Sequence, residues 1–264
     1  GKGNDIIDGG SGFNSGNDTY IFNVGDGQDT IYDYTGTDQI VFGAGITKAN
    51  VQLISDYANN QSLIIKIGTN GDQIALKSFF YYSGSNYKIE ALKFSDGSIL
   101  DLANSLTLQG TKTTGETIAG ANFNDNLTGN IGNDTIYGYD GNDTITGGKG
   151  NDIIDGGSTF NSGNDIYKFN VGDGQDTITD YAGTDQIVFG VGITKANIQL
   201  ISDYANNKSL IVKIGTNGDQ ITFKNFFYDS GSSYKIETFK FADGSIFDLA
   251  NGLTLVGTKT TGET

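Results

Sequence analysis

Residues 129–155 read GNIGNDTIY, GYDGNDTIT, GGKGNDIID: three nine-residue units in which glycine, asparagine, aspartate and isoleucine return at fixed places. Asp134, Asp143 and Asp152 therefore fall in register, each followed two positions later by isoleucine. A period of nine matches neither the 3.6-residue turn of a helix nor the two-residue alternation of an isolated strand. It fits a chain that makes a tight glycine turn, runs briefly as strand and turns back, so each unit supplies one turn and one strand.

The register extends in both directions. Units begin at Gly120, Gly129, Gly138, Gly147 and Gly156; the last is broken by an insertion around Thr159 to Ser162 and resumes at Gly163. Units at Val171 and Asp180 continue as VGDGQDTIT and DYAGTDQIV. The sixth position thereby collects Asp125, Asp134, Asp143, Asp152, Asp165, Asp176 and Asp185, and upstream TKTTGETIA sets Glu116 in the same place as a weak starting turn. On a larger scale, residues 1–117 recur as residues 148–264 without a gap and with most positions identical. The first copy supplies Asp5, Asp18, Asp29 and Asp38 at the sixth position. Both copies begin GKGNDIIDGGS and end GTKTTGET, which leads us to expect that the chain is cut from a longer array.

The eighth position is apolar throughout: Ile7, Tyr20, Ile31 and Ile40, then Leu127, Ile136, Ile145, Ile154, Tyr167, Ile178 and Ile187. We expect this column to be core. After each set of repeats the pattern changes to β-branched and aromatic segments, VQLIS, SLIIKIG, DQIALKSFFYY and YKIEALKF, which read as strands. Asn70-Gly71 and Asp96-Gly97, with Asn217-Gly218 and Asp243-Gly244 in the second copy, are read as two-residue hairpin turns. DLANSL from Asp101 is read as one helical turn. The expected organisation is a truncated roll over 1–42, a β cap over 43–110, a roll over 111–189, a cap over 190–257 and the start of a further roll over 258–264.

The net charge of −15 excludes nucleic-acid phosphate as a partner and calls for cations. Only four of the 31 acidic residues are glutamate; aspartate tolerates turn conformations and closes a small oxygen cage with its own backbone. There is no Cys, His, Met, Trp or Pro, which removes thiol and imidazole chemistry, zinc and haem ligation, disulfides and a Ser-His-Asp triad. No apolar run is long enough to span a membrane. Stacked turns would bring carboxylates close together; at ~5 Å and an effective dielectric near ~20, each pair repels by roughly 3 kcal/mol. Carboxylate and carbonyl oxygens on flexible glycine loops favour Ca²⁺ over Mg²⁺, which demands stricter geometry and keeps its water.

The units resemble the RTX nonapeptide, G-G-x-G-x-D-x-U-x with U a large apolar residue, of haemolysin-type calcium-binding proteins; GGKGNDIID fits it throughout. The segments after the repeats resemble the haemolysin-type calcium-binding-related region, with its KF.DG motif at Lys93-Phe94 and Asp96-Gly97. The resemblance implies an all-β fold: right-handed parallel β-rolls of nonapeptide repeats alternating with small antiparallel β caps, in tandem. Two nonapeptides would make one turn, and calcium would lie between stacked turns. It pairs Asp125 with Asp143, Asp134 with Asp152, Asp143 with Asp165, Asp152 with Asp176, Asp165 with Asp185, Asp5 with Asp29 and Asp18 with Asp38. That makes about seven ions. It implies backbone ligation by the turn glycines: Gly1, Gly3, Gly9, Gly10, Gly16, Gly25 and Gly27, then Gly129, Gly132, Gly138, Gly141, Gly147, Gly148, Gly150, Gly156, Gly157, Gly163, Gly172 and Gly174. Phe123 in place of the fourth-position glycine, and Glu116 in place of aspartate, mark weaker outer sites.

The functional expectation is a calcium-binding module of a large secreted or cell-surface bacterial protein, exported by a type I system. It would fold on meeting extracellular calcium and serve as scaffold or spacer for a toxin, adhesin or exoenzyme. Its partners would be calcium and neighbouring copies of the module, with no membrane insertion. The alternative is an adhesin or lectin-like array whose caps bind a glycan or cell surface through Tyr81, Tyr82 and Tyr87. A glycosidase using two carboxylates is disfavoured, because nearly every aspartate already has a place in the repeat, so the chain is read as no enzyme.

Overall fold

The computed structural model describes residues 1–10, 16–57, 61–81, 89–157, 163–204, 208–228, 234 and 236–249. The insertion around Thr159 to Ser162, Tyr82, Tyr87 and the start of a further roll lie outside the described residues.

The fold is all-β, and its described residues build four sheets. In the first copy, β1 (Ile6–Asp8) and β3 (Gln28–Tyr32) pair in parallel, and β2 (Thr19–Phe22) pairs in parallel with β4 (Gln39–Phe42). Alternate strands thus go to opposite sheets, the arrangement that a turn–strand–turn–strand repeat dictates. After a single 3-10 turn at Lys48–Asn50 come β5 (Val51–Asp56), β6 (Ser62–Ile67) and β7 (Asp72–Leu76), which run antiparallel among themselves. β7 lies parallel to β3, and β8 (Ala91–Lys93) lies parallel to β4 and turns back into β9 (Ile99–Asp101). The caps therefore extend the two sheets of the roll.

The second copy repeats this with a longer roll. One sheet holds β10 (Thr107–Gln109), β12 (Asn126–Ile131), β14 (Thr144–Lys149), β16 (Ile166–Phe169) and β18 (Gln186–Phe189), all parallel. The other holds β11 (Thr117–Ala119), β13 (Thr135–Tyr137), β15 (Ile153–Asp155) and β17 (Gln175–Thr179), also parallel. The cap adds β19 (Ile198–Asp203), β20 (Ser209–Ile214) and β21 (Asp219–Phe223) to the second of these sheets, and β22 (Thr238–Lys240) and β23 (Ile246–Asp248) to the first.

The register sets the eighth-position residues side by side: Leu127, Ile145, Tyr167 and Ile187 in one sheet, Ile136, Ile154 and Ile178 in the other. All seven are buried, and the column continues into the caps as Phe239 and Phe223. A unit therefore stacks on the next but one, 18 residues away where no insertion intervenes. The first cap also packs on the second roll: the Ala119 N–H donates to Ser55 Oγ at 3.1 Å, and the Tyr139 hydroxyl to the Tyr57 hydroxyl at 2.7 Å.

Three local expectations are corrected. The β6–β7 hairpin closes through four residues, 68–71, with Gly68 and Gly71 at positive φ, because the strand pairing ends at Ile67 opposite Asp72. The β8–β9 connection is a three-residue loop: the Phe94 N–H donates to Ser98 O, the Gly97 N–H donates to Phe94 O, and Gly97 alone takes φ +85°. DLANSL forms no helical turn. Asp101 ends β9, and its carboxylate accepts the Ala103 N–H and the Asn104 side-chain amide, which holds the chain in an Asx-type bend.

Candidate metal centre

Each strand of the roll starts at or next to its sixth-position aspartate, which β3 and β17 include as their second residue, so the strand pairing that aligns the core column also aligns the carboxylates at the turn. The result is a ladder. The N–H groups of Asp125, Asp143 and Asp165 donate to Oδ1 of Asp143, Asp165 and Asp185 at 2.7, 2.8 and 2.7 Å. On the other edge, Asp134 donates to Asp152 at 2.7 Å and Asp152 to Asp176 at 3.0 Å. In the first roll Asp5 donates to Asp29 at 2.9 Å and Asp18 to Asp38 at 2.7 Å. All seven aspartate pairs thus stand on adjacent turns.

One oxygen of each accepting carboxylate is therefore used. The other is buried and has no hydrogen-bond partner in Asp18, Asp134, Asp143, Asp152 and Asp185. Asp134, Asp143, Asp152, Asp165, Asp176 and Asp185 have no lysine partner among the described residues. Burial, reinforced by the neighbouring carboxylates, pushes Asp143, Asp176 and Asp185 up to about 8, Asp165 to about 9 and Asp152 to about 6. Asp134 and Asp38 are also raised, chiefly by burial. A buried anionic oxygen with no donor is costly unless a cation or a proton occupies its open side.

Glycines line the space beside these carboxylates. A Cβ on Gly129 would lie 2.5 Å from the orphaned Asp134 Oδ2, and Cβ atoms on Gly138 and Gly147 would run into Asp143 and Asp152 in the same way. At the fourth position, Gly150 has φ +142°, and a Cβ there would strike the carbonyl oxygen of Gly132. Gly27 faces Gly3 O, Gly141 faces Phe123 O, Gly163 faces Gly141 O and Gly174 faces Gly150 O in the same manner. A Cβ on Gly148 would strike Asn130 O, and Cβ atoms on Gly9 and Gly156 would lie 2.9 and 2.7 Å from Asp33 Oδ2 and Asp165 Oδ2. Carboxylate and carbonyl oxygens with no nitrogen or sulfur donor fit Ca²⁺.

Other glycines of the expected set make contacts of a different kind. Gly25 and Gly172 donate their N–H groups to Asp72 and Asp219 at 2.7 Å and face open space. A Cβ on Gly1 would also meet nothing, whereas the Gly16 carbonyl stacks on Gly36. The Gly10 N–H donates to Asp8, and the Gly157 carbonyl accepts from Tyr181.

The sequence reading missed several members. Glu90 and Glu237 end the ladders, accepting the Asp38 and Asp185 N–H groups at 2.6 and 2.7 Å. Leu106 opens one ladder of the second roll by donating its N–H to Asp125, whereas Glu116, expected as the weak starting turn, donates its N–H to Asp134. Gly36 and Gly183 are fourth-position glycines packed on Gly16 O and Gly163 O. The acid–x–apolar spacing of the repeat, present in Glu90-Ala91-Leu92, could have identified the terminal glutamates. Asp33 and Asp180, at first positions, also join the carboxylates of the last turns.

The RTX calcium-binding nonapeptide repeat profile matches residues 1–15, 14–47, 119–154 and 168–193. The haemolysin-type calcium binding protein related domain matches residues 63–104 and 210–251. Among curated proteins, the iron-regulated protein FrpA of Neisseria meningitidis serogroup C is 36% identical over 90 residues, covering 32% of this chain and 8% of that protein. The extracellular lipase LipA of Serratia marcescens is similar over 78% of this chain and 36% of its own, at 18% identity and TM-score 0.33. The AlgE6R3 subunit of the Azotobacter vinelandii mannuronan C5-epimerase is similar over 61% of this chain and 90% of its own, at 20% identity and TM-score 0.33. Matched along its repeats and along the segment that follows each set, the chain belongs to the RTX calcium-binding repeat proteins.

Proposed function

We propose that this module is a calcium-triggered folding scaffold of a large extracellular protein, with ions held between successive turns by the seven aspartate pairs and the glycine carbonyls. The row of buried carboxylate oxygens that have neither donor nor lysine carries this reading. Without a cation, burying them opposes folding; with Ca²⁺, the same oxygens become ligands and binding free energy becomes folding free energy. A chain of this kind stays open where calcium is scarce and closes where it is millimolar, which suits export through a narrow channel followed by folding outside. The chain spans 8% of the curated relative, so toxin, adhesin or exoenzyme as the parent is carried by segments beyond it. Every ladder aspartate has a structural partner, which favours a non-enzymatic role. The contact of the first cap with the second roll through Tyr57 and Tyr139 supports neighbouring modules as packing partners.

Circular dichroism during a calcium titration, with calorimetry for ion count, tests this reading. The expected result is a cooperative gain of β signal at sub-millimolar to millimolar Ca²⁺, with about seven ions per chain; no gain, or an equal response to Mg²⁺, overturns it. A second reading, glycan or surface adhesion by the caps, is favoured by the 55% exposure of Tyr81 and the 58% exposure of its counterpart Tyr228. Calcium-dependent retention on a glycan array would support that role, and its absence would leave the caps as spacers.

A further inference from the structure

The last turn of each roll departs from the repeat in two linked ways. Asp33 and Asp180 stand at the first position, where the regular units have glycine, and the eighth-position residue one turn earlier is Tyr20 or Tyr167 where most other units have isoleucine or leucine. The structure joins the two departures: the Tyr167 hydroxyl donates to Asp180 Oδ2 at 2.6 Å, and the Tyr20 hydroxyl to Asp33 Oδ2 at 2.5 Å. These tyrosines fill their places in the core column and also aim a donor at one oxygen of the extra carboxylate.

That bond leaves Asp180 Oδ1 and Asp33 Oδ1 buried with no hydrogen-bond partner. Asp180 is 5% exposed and Asp165 and Asp185 1% each, and Oδ2 of Asp185 is orphaned as well. Each of the three carboxylates offers an oxygen within 4.8 Å of the other two, as do Asp18, Asp33 and Asp38. Oxygens bound to one Ca²⁺ at about 2.3 to 2.6 Å lie at most about 5 Å apart, so the spacing of the three is compatible with a single ion between them. The space is shaped by Gly156, where a Cβ would run into the Tyr167 hydroxyl and approach Asp165 Oδ2 at 2.7 Å and Asp180 Oδ2 at 3.0 Å. Glu237 stands next along the ladder on Asp185 and adds negative potential without entering the triad.

We propose that Asp165, Asp180 and Asp185, and likewise Asp18, Asp33 and Asp38, each form a three-carboxylate calcium site that closes the roll against its cap and binds more tightly than the two-carboxylate sites along the roll. The proposal rests on the calcium reading above. A third carboxylate raises affinity by adding ligand charge. The tyrosine hydroxyl fixes the carboxylate before the ion arrives, so little ordering cost is left. The cap strands β21 and β22 pair with the last strands of the roll, so the tightest sites would sit where roll and cap join.

The test is calcium calorimetry on the full chain and on the double variant Asp33→Asn/Asp180→Asn. Asparagine keeps the shape and an oxygen to accept the tyrosine hydroxyl while removing the charge, so the fold is retained; circular dichroism in saturating calcium verifies this. The expected result is that about two sites per chain, the tightest in the unmodified protein, weaken at least tenfold while the others keep their affinity. Tyr20→Phe/Tyr167→Phe should weaken the same two sites by a smaller factor, since the carboxylates remain but are no longer held. If the Asn variant keeps all affinities, or binds more tightly, the third carboxylate shares a proton with its neighbours instead of an ion and the proposal fails. Absence of calcium binding in the unmodified chain would instead defeat the general reading.

Discussion

The ladder makes an unusual prediction about acid. Asp143, Asp176 and Asp185 are pushed up to about 8 and Asp165 to about 9 in the folded chain without metal, from an ordinary value near 3.8. Their folded values are raised, so between about pH 4 and pH 8 the folded state holds protons that the unfolded state has lost. Stability of the metal-free chain must then fall as pH rises through this window. Each such proton costs about 1.36 kcal/mol per pH unit, or roughly 3 kcal/mol between pH 5 and pH 7.5. The four groups are neighbours on ladders and do not add, but even two protons amount to about 7 kcal/mol, comparable to the 5–15 kcal/mol of a typical domain. The assay is thermal melting by far-UV circular dichroism, on protein stripped of metal on a chelating resin, at pH 5, 6 and 7.5. Melting should be highest at pH 5 and lost toward pH 7.5. In millimolar calcium the trend should reverse, because protons then compete with the ion for the same oxygens. A metal-free melting temperature that is flat, or that rises with pH, would refute the claim that these carboxylates are buried without compensation.

Four other outcomes are expected. Gly150→Ala would place a methyl group against Gly132 O from a backbone at φ +142° and should abolish calcium-induced folding, read as loss of the β signal even in excess calcium. Ile145→Ala, in the fully buried column between Leu127 and Tyr167, should cost about 2–5 kcal/mol and raise the calcium midpoint without changing ion count. Asp219→Ala removes the acceptor for the Gly172 and Gly174 N–H groups and should cost about 1–3 kcal/mol in urea melts at saturating calcium, again with ion count unchanged. Asp143→Asn should remove or weaken two ions in native mass spectrometry and Asp125→Asn only one, because Asp143 stands between two paired rungs and Asp125 at the end of the aspartate run.

The regular part of the molecule was legible because one nine-residue register fixes two things at once. The sixth and eighth positions are separated by one residue, so the strand pairing that buries Ile145 beside Leu127 also sets Asp143 beside Asp125. The caps were harder to read, since their strands join the roll with a register that local sequence does not encode. Glu90-Ala91-Leu92 and Asp72-Gln73-Ile74 share the acid–x–apolar pattern, yet only Glu90 continues a ladder. Asp29 pairs with Ile74, so Asp72 comes opposite Gly27 and ties down the glycine turn instead. The hairpins show the same limit: Asn-Gly and Asp-Gly mark the turns, while the length of each connection follows from where pairing stops, at Ile67 and at Phe94.

The shared carboxylates also imply how the roll must assemble. Asp143 accepts the Asp125 N–H through Oδ1 and gives its own N–H to Asp165, so each rung is positioned by the next. A single turn closed alone would leave its carboxylates half-satisfied, and an ion bound there would lack the oxygens of the turn above. On the calcium reading proposed above, nucleation is unfavourable and growth favourable, as in a helix, with calcium in the place of the propagating hydrogen bond. The glycine turns reinforce this, because an open chain keeps the conformational freedom that only a completed cage can offset. A roll built this way responds to calcium over a narrow concentration range even when each ion, taken singly, is weakly held. On the same reading its cap is the natural starting point: β21 is paired antiparallel to β20 and offers its other edge to β17, from which the ladder extends toward Asp125.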